Sequence, residues 1–305
     1  MTSVYVAGHT GLVGSALHRA IANDRQLEFI GATRADLDLF DRNRVVDFVC
    51  TERPDWVVIA AARVGGIVAN STFPVEFLTE NLRIEMNLLE ACHEAGIERV
   101  LFLGSSCIYP RLAPQPIREE FLLTGELEPT NEPYALSKIV GIKLVQAYRR
   151  QYGRSWISAM PTNLYGPNDN FDLQTSHVLP AMIRKFDDAK RGSQSVVTLW
   201  GTGRPRREFL HVDDLASACL HLLANYDDSE PVNVGTGEDL EIRELANLVS
   251  SAVDYDGRID WDETKPDGTP RKVLNVTKIR EMGWKPTIDL PSGIRSTYEW
   301  YLSNR

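Results

Sequence analysis

Tyr134 and Lys138 stand four residues apart in the run Tyr134-Ala135-Leu136-Ser137-Lys138, and Ser105 and Cys107 precede them. On a helix that spacing puts the phenol and the ammonium on one face, about one turn apart. An ammonium beside a phenol favours the phenolate, so such a tyrosine can exchange a proton with a carbonyl or alcohol near neutral pH. Read alone, the pair is equally well an exposed Tyr–Lys pair on an ordinary helix. Its weight comes from the elements around it.

Val4-Tyr5-Val6-Ala7 is β-prone and runs into Gly8-His9-Thr10-Gly11-Leu12-Val13-Gly14-Ser15, after which a helical pattern covers 16–23. Strand, glycine turn and helix form the setting in which backbone N–H groups approach a pyrophosphate at a helix N-terminus. The spacing is G-x-x-G-x-x-G, which meets the general dinucleotide fingerprint loosely, and a glycine-rich turn without a ligand is the other reading. A second strand over 27–33 ends at Arg34. An arginine there accommodates the 2′-phosphate of NADP, whereas an acid would hold the ribose of NAD. Arg34 therefore favours NADP(H), with Asp36 nearby either as a competitor or as a plain loop residue.

Further helices over 42–51 and 74–95 alternate with strands over 56–61 and 100–104, and the Tyr134 helix runs to about 151 before a strand over 155–160. This alternation predicts an α/β fold with a Rossmann-type, doubly wound parallel sheet, whose ligands sit beyond the carboxyl ends of the strands. Gly8, Arg34, Ala62 and Ser105 all fall at such ends, on one rim. Beyond 166 the rhythm loosens, with short strands over 196–200 and 208–212. The sequence thus divides into a nucleotide-binding domain, 1–165, and a smaller lobe, 166–305. Segments near 208–255, including a helix over 242–253, are expected to return to the first domain and make the second discontinuous.

A chain of 305 residues, 43% hydrophobic, can bury a large core. Its longest apolar run, 56–62, is too short to cross a bilayer. No basic segment leading into an apolar stretch follows Met1, and Cys50, Cys92, Cys107 and Cys219 lack disulfide-like or metal-like spacing. A cytoplasmic protein with reduced thiols and no metal is expected. The net charge of −9 argues against nucleic acid or an anionic membrane as partner. Taken singly, Cys107 reads as a small buried residue and His177 as a structural residue or helix cap.

The glycine loop, Ser105-Ser106-Cys107-Ile108-Tyr109-Pro110, Tyr134-Ala135-Leu136-Ser137-Lys138 and Pro161-Thr162-Asn163-Leu164-Tyr165-Gly166-Pro167 together resemble those of the extended short-chain dehydrogenases/reductases that act on nucleotide sugars. Longer strings narrow the resemblance: Val64-Gly65-Gly66-Ile67-Val68-Ala69-Asn70, Leu127-Glu128-Pro129-Thr130-Asn131-Glu132-Pro133, 207–214 and 265–272. They are similar to the branch whose members epimerise and reduce GDP-4-keto-6-deoxy-mannose. The resemblance implies that Tyr134 protonates the sugar's carbon-4 oxygen, with Ser105 bonded to the same oxygen and Lys138 lowering the phenol pKa. It implies Cys107 and His177 as the acid–base pair that inverts carbons 3 and 5, which are acidic because both flank the keto group. Around NADP(H) it places Gly8, Thr10, Gly11, Leu12, Val13 and Gly14, then Arg34, Ser105 and Lys138, then Pro161, Asn163, Leu164 and His177. Lys185, Trp200, Arg207 and Asp267 would hold the GDP-sugar, and the assembly would be a homodimer. Bacterial members commonly carry arginine where this chain has Thr10, which leaves Arg34 as the cation of that loop. A dehydratase or 4-epimerase of the same family shares the Ser–Tyr–Lys core without needing the Cys–His pair, and stays open as the alternative.

Overall fold

Trp56–Ile59 and Arg99–Leu103 are almost wholly apolar, and strands of that kind must be covered on both faces. In the computed structural model they lie at the centre of a six-stranded sheet. The structure describes residues 1–265 and 267–305, and of Ile67 the backbone only, so Pro266 of the 265–272 string lies outside the described residues. The first half alternates β1 (Thr2–Ala7), α1 (Leu12–Ala22), β2 (Leu27–Ile30), α2 (Arg42–Glu52), β3 (Trp56–Ile59), α3 (Ile67–Thr72), α4 (Pro74–Glu94), β4 (Arg99–Leu103), α5 (Glu132–Tyr152) and β5 (Ile157–Pro161). The second half holds β6 (Asn163–Tyr165), α6 (Val178–Arg191), β7 (Val196–Trp200), β8 (Arg206–Arg207), β9 (Phe209–His211), α7 (Val212–Asn225), β10 (Val232–Val234), β11 (Leu240–Glu241), α8 (Ile242–Val253), β12 (Arg258–Asp262), β13 (Arg271–Lys272), α9 (Thr277–Glu281) and α10 (Leu290–Asn304).

The main sheet runs β2-β1-β3-β4-β5-β10, and every pairing in it is parallel. The chain leaves β1 toward β2 on one side and resumes with β3 on the other. That reversal opens the crevice in which doubly wound sheets bind ligands. The expected Rossmann-type fold is the observed one.

Two apolar cores fill the molecule. The larger joins the sheet to α1, α2, α4, α5 and α7, and recruits Val232, Val234, Leu274, Val276 and Ile279 from late in the chain. The smaller is built from Tyr165, the Leu179-Met182-Ile183-Phe186 stripe of α6, β7, the inner face of α8 and Ile294 of α10. Three helices that the loosened rhythm hid stand in the second half: α6 and α10 in the smaller core and α7 in the larger. Pro180 and Pro291 each sit in the first turn of a helix, where no intrahelical N–H is missing. The start of α1 also differs from expectation. It begins at Leu12, inside the glycine loop, so Gly11 is its N-cap and Leu12 and Val13 form its first turn.

Candidate active site

Gly8 follows β1 with φ +86°, and a Cβ there would lie 2.8 Å from the backbone of Ala61, just past β3. A Cβ on Gly14 would come within 2.1 Å of the Gly8 carbonyl oxygen. Only glycine lets the loop fold this tightly over the sheet. Gly11 caps α1 without a side chain, and the Gly11 N–H donates to the Gly8 carbonyl at 3.1 Å. Thr10 is exposed beside them.

Arg34 lies four residues past the end of β2, exposed, with its guanidinium carbon 5.7 Å from the centre of the Phe40 ring. No carboxylate among the described residues forms an ion pair with it. Asp36 is occupied otherwise: its carboxylate accepts from the Thr33 N–H at 3.3 Å and from Thr33 Oγ1 at 2.6 Å. The Thr33 bonds hold that carboxyl below its ordinary value. The loop reading of Asp36 describes it.

Ser105 caps a single 3-10 turn, Ser106–Ile108, after β4, and Cys107 N–H approaches its Oγ at 3.4 Å. Pro161 ends β5, the neighbouring strand, and Asn163 and Leu164 follow on β6, where the Asn163 amide donates to the Glu208 carbonyl at 2.8 Å. From α5, Tyr134 leans edge-on against Phe77 of α4, ring centres 6.3 Å apart. Lys138, on the same face one turn on, is buried, its Nζ 4.8 Å from the centre of the Phe102 ring and 5.9 Å from that of Tyr134.

Sequence reasoning missed the partner of Lys138. Glu85, on α4, is 1% exposed and brings Oε1 to 3.1 Å from Lys138 Nζ. That is an ion-pair distance, but neither Glu85 oxygen receives a well-directed hydrogen bond from any described residue. Losing one member of a buried ion pair typically costs about 3–5 kcal/mol. The signal was present in α4, whose buried stripe Phe77, Asn81, Ile84, Glu85, Leu88, Leu89 and Cys92 carries one acid among apolar side chains. Burial of Glu85 raises its carboxyl, and Lys138 opposes that. The expected drop in the Tyr134 phenol is absent here. Burial pushes it well up, Cys107 and Glu85 push the same way, and Ser105 opposes them.

His177 is the N-cap residue of α6, and its ring makes no capping bond. The Val64-Gly65-Gly66 loop holds the segment before it: Gly66 N–H donates to the Thr175 carbonyl at 2.9 Å, and a Cβ on Gly66 would meet the Ser176 carbonyl oxygen at 2.8 Å. Solvent reaches the imidazole, but protein surrounds it on most sides, so His177 lines a cleft. Burial first, then Lys272, holds it below the ordinary imidazole value. Burial pushes the Cys107 thiol up, against Lys272, Ser105 and Lys138. One ammonium, that of Lys272, thus acts on both Cys107 and His177, and sequence reading did not single it out.

Lys272 reaches the cleft because β13 pairs in parallel with β8, in a register that sets it beside Arg207. Burial depresses Arg207, opposed by Asp267 and Glu128. Asp267 itself is clasped by Thr202, whose N–H and Oγ1 donate to it at 2.7 and 2.8 Å. Trp200, 59% exposed, carries Lys185 Nζ at 5.8 Å and Lys265 Nζ at 5.7 Å from its ring centre. The residues expected around the sugar therefore fall into two neighbouring groups, Lys185–Trp200 and Arg207–Asp267, joined where Gly201 and Thr202 meet Asp267. Among the described residues no group of three His, Cys, Asp or Glu side chains gathers as a metal site, and no helix is long and apolar enough to cross a membrane.

Comparison with known proteins shows what the chain as a whole is similar to. The model of the NAD dependent epimerase/dehydratase family matches residues 4–235. GDP-L-fucose synthase 1 of Arabidopsis thaliana is 53% identical over 301 residues, covering 99% of this chain and 93% of the plant protein. GDP-L-fucose synthase of Escherichia coli K12 is 51% identical over 311 residues, covering 99% and 97% of the two chains. The crystal structure of a GDP-L-fucose synthetase from Naegleria fowleri bound to NADP superposes with a TM-score of 0.91 at 29% identity, over 99% of this chain and 93% of that one.

Proposed function

The chain belongs to the NAD dependent epimerase/dehydratase family, and within it we propose that the protein converts GDP-4-keto-6-deoxy-mannose to GDP-L-fucose by 3,5-epimerisation and NADPH-dependent reduction at carbon 4. The reading rests most on one observation: Cys107 sits in the turn that Ser105 caps, and Lys272, set beside Arg207 by the β13–β8 ladder, acts on both Cys107 and His177. A dehydratase or simple 4-epimerase has no use for that second pair.

The loop fits NADP(H). Gly8 and Gly14 leave backbone room for a pyrophosphate, the α1 N-terminus favours its charge, and Arg34 is free to meet a 2′-phosphate. When bound, NADPH supplies the hydride pair that reaches carbon 4. The carbon-4 oxygen takes the Tyr134 proton, Ser105 donates to or accepts from the same oxygen, and the phenolate left behind recovers a proton from water. Inversion at carbons 3 and 5 needs a proton removed from one face and returned on the other, through an enolate. Cys107 and His177 take these roles, and the Lys272 charge favours a thiolate while disfavouring an imidazolium. Arg207 and Lys272 face the pyrophosphate of the GDP-sugar as adjacent cations, Trp200 offers a flat face, and Lys185 and Asp267 complete the pocket.

Residues 1–165 carry most of the cofactor site and 166–305 most of the sugar site, with β10 and α7 returned to the first unit. The protein works in the cytoplasm, as a homodimer. Support for the dimer comes from α4 and α5, which pack on each other and leave Met86, Leu136 and Val140 exposed. The test is incubation with GDP-4-keto-6-deoxy-mannose and NADPH, with the product identified by NMR. GDP-L-fucose formed with one NADPH consumed per sugar is expected, and a product with carbon 3 or 5 unchanged would overturn the reading.

A further inference from the structure

Glu85 is a buried charged group that the mechanism above leaves without a task. We propose that Glu85 is a positioning residue of the reduction: from α4 it fixes the Lys138 ammonium and cancels its charge, so that Tyr134 holds a proton ready for the sugar oxygen. This rests on the roles just given to Tyr134 and Lys138.

An unpaired ammonium near a phenol makes it acidic, which suits a tyrosine that must take a proton from an alcohol. Reduction asks the reverse, because the tyrosine must arrive protonated. In this structure Lys138 Nζ lies 3.1 Å from Glu85 Oε1 and 5.9 Å from the Tyr134 ring centre, so the phenol faces a neutral pair. The Phe102 ring also lies against the ammonium, its centre 4.8 Å away. The charged and titratable neighbours are few. Tyr134 feels Cys107 from the turn after β4 and Glu85 from α4, and Glu85 feels Lys138 alone. The Arg63–Glu80 ion pair stands beyond Phe77, and Lys272 acts on Cys107 and His177.

Counting charge gives the sign. With Glu85 ionised, Lys138 protonated and Tyr134 neutral, the group carries no net charge, and its next proton leaves against that balance. In Glu85→Gln the same group carries one positive charge. With that positive charge beside it the phenol proton leaves more readily, and its loss ends proton donation.

The experiment follows kcat for reduction against pH at saturating GDP-4-keto-6-deoxy-mannose and NADPH. Glu85→Gln is expected to lower the alkaline limb by about one to two pH units, the size of a charge roughly 8 Å away at an effective dielectric near 20. Glu85→Asp, which keeps the charge, should restore the limb. Deuterium exchange at carbons 3 and 5 in D₂O should persist in both, because that chemistry does not use Tyr134. A merely structural Glu85 would lower stability and leave the limb in place, and that result overturns the proposal. Should Glu85→Gln fail to fold, wild-type protein decides. Its tyrosinate absorbance, referenced to Tyr134→Phe, is expected to show no Tyr134 step below about pH 9, and a step near pH 7 would sink the proposal. A wild type that leaves the keto sugar untouched refutes the preceding reading instead, and the phenol titration then decides this one alone.

Discussion

Replacing Arg34 with alanine isolates the residue expected to choose the cofactor. Its guanidinium is exposed, rests near the Phe40 ring at 5.7 Å, and has no carboxylate partner among the described residues. Removing it therefore strands no buried charge, and the lost cation–π contact costs the fold about 0.5–1 kcal/mol. Asp36 cannot readily take its place, because Thr33 already holds that carboxylate through two bonds, at 3.3 and 2.6 Å. A charge-assisted hydrogen bond to the 2′-phosphate is worth about 1.5–3 kcal/mol, so NADPH binding should weaken about 10- to 150-fold. NADH has no phosphate there and should lose less than about twofold, since only distant screening changes. Fluorescence titration of both cofactors against both proteins, at one fixed ionic strength, reads the ratio. Thr10→Arg supplies a second cation beside the loop and should tighten NADPH without helping NADH. Equal losses for the two cofactors in Arg34→Ala would mean that Arg34 does not read the phosphate.

Tyr134→Phe keeps the ring against Phe77 and removes only the hydroxyl, so reduction should be lost while NADPH affinity stays within about twofold; retained reduction would exclude Tyr134 as proton donor. Cys107→Ser should stop deuterium uptake at carbons 3 and 5, read on keto sugar recovered without NADPH, because a serine hydroxyl is far the weaker acid; wild-type uptake in folded protein refutes that role. Gly141→Ala puts a Cβ 2.2 Å from the Phe102 ring that supports Lys138, and should cost about 1–2 kcal/mol in urea denaturation despite the better helix propensity of alanine; a more stable protein would contradict the packing. Burial raises the Asp169 carboxyl to about 7, with only the Asn170 N–H opposing. An acid raised on folding costs stability above its unfolded pKa, so stability falls as pH rises from about 4 to about 7. Asp169→Asn should thus gain about 1 kcal/mol at pH 8, after allowing for partial solvent contact, and nothing at pH 4; an equal gain at both would reject the titration.

The rim of the sheet was legible because its signals are local. Gly8, Arg34, Ser105 and Tyr134 each follow or open an element whose pattern lies within a few residues of them, and β4 and α8 fall within a residue of where the pattern puts them. What stayed hidden depends on partners far along the chain. Lys272 faces Cys107 only because β13 pairs with β8, a two-residue ladder no periodicity announces. The pattern of α4 holds Glu85 in its buried stripe, but its partner is known only once α5 sets Lys138 against it. The α6 stripe begins only after an irregular stretch, and Pro180 sits in its first turn. The Thr202 clasp on Asp267 joins residues 65 apart in sequence, which no motif spells out.

The late return of β10 to the edge of the main sheet bears on how the protein is made. When residue 165 has left the ribosome, the sheet still lacks the strand that covers β5, and α1 lacks α7, its packing and ion-pair partner through Arg19 and Asp213. Chain synthesis proceeds at about 5–20 residues per second, so these surfaces stay uncovered for seconds until β10 emerges. The core then still waits for Leu274, Val276 and Ile279. The nascent protein therefore spends part of its synthesis with an open parallel-sheet edge at β5, where Ala159 and Met160 would otherwise pair with Val232 and Asn233. A shortened chain ending at 165 would keep that edge for good, so the cofactor half is a product of the whole sequence and not a module that can be detached from it.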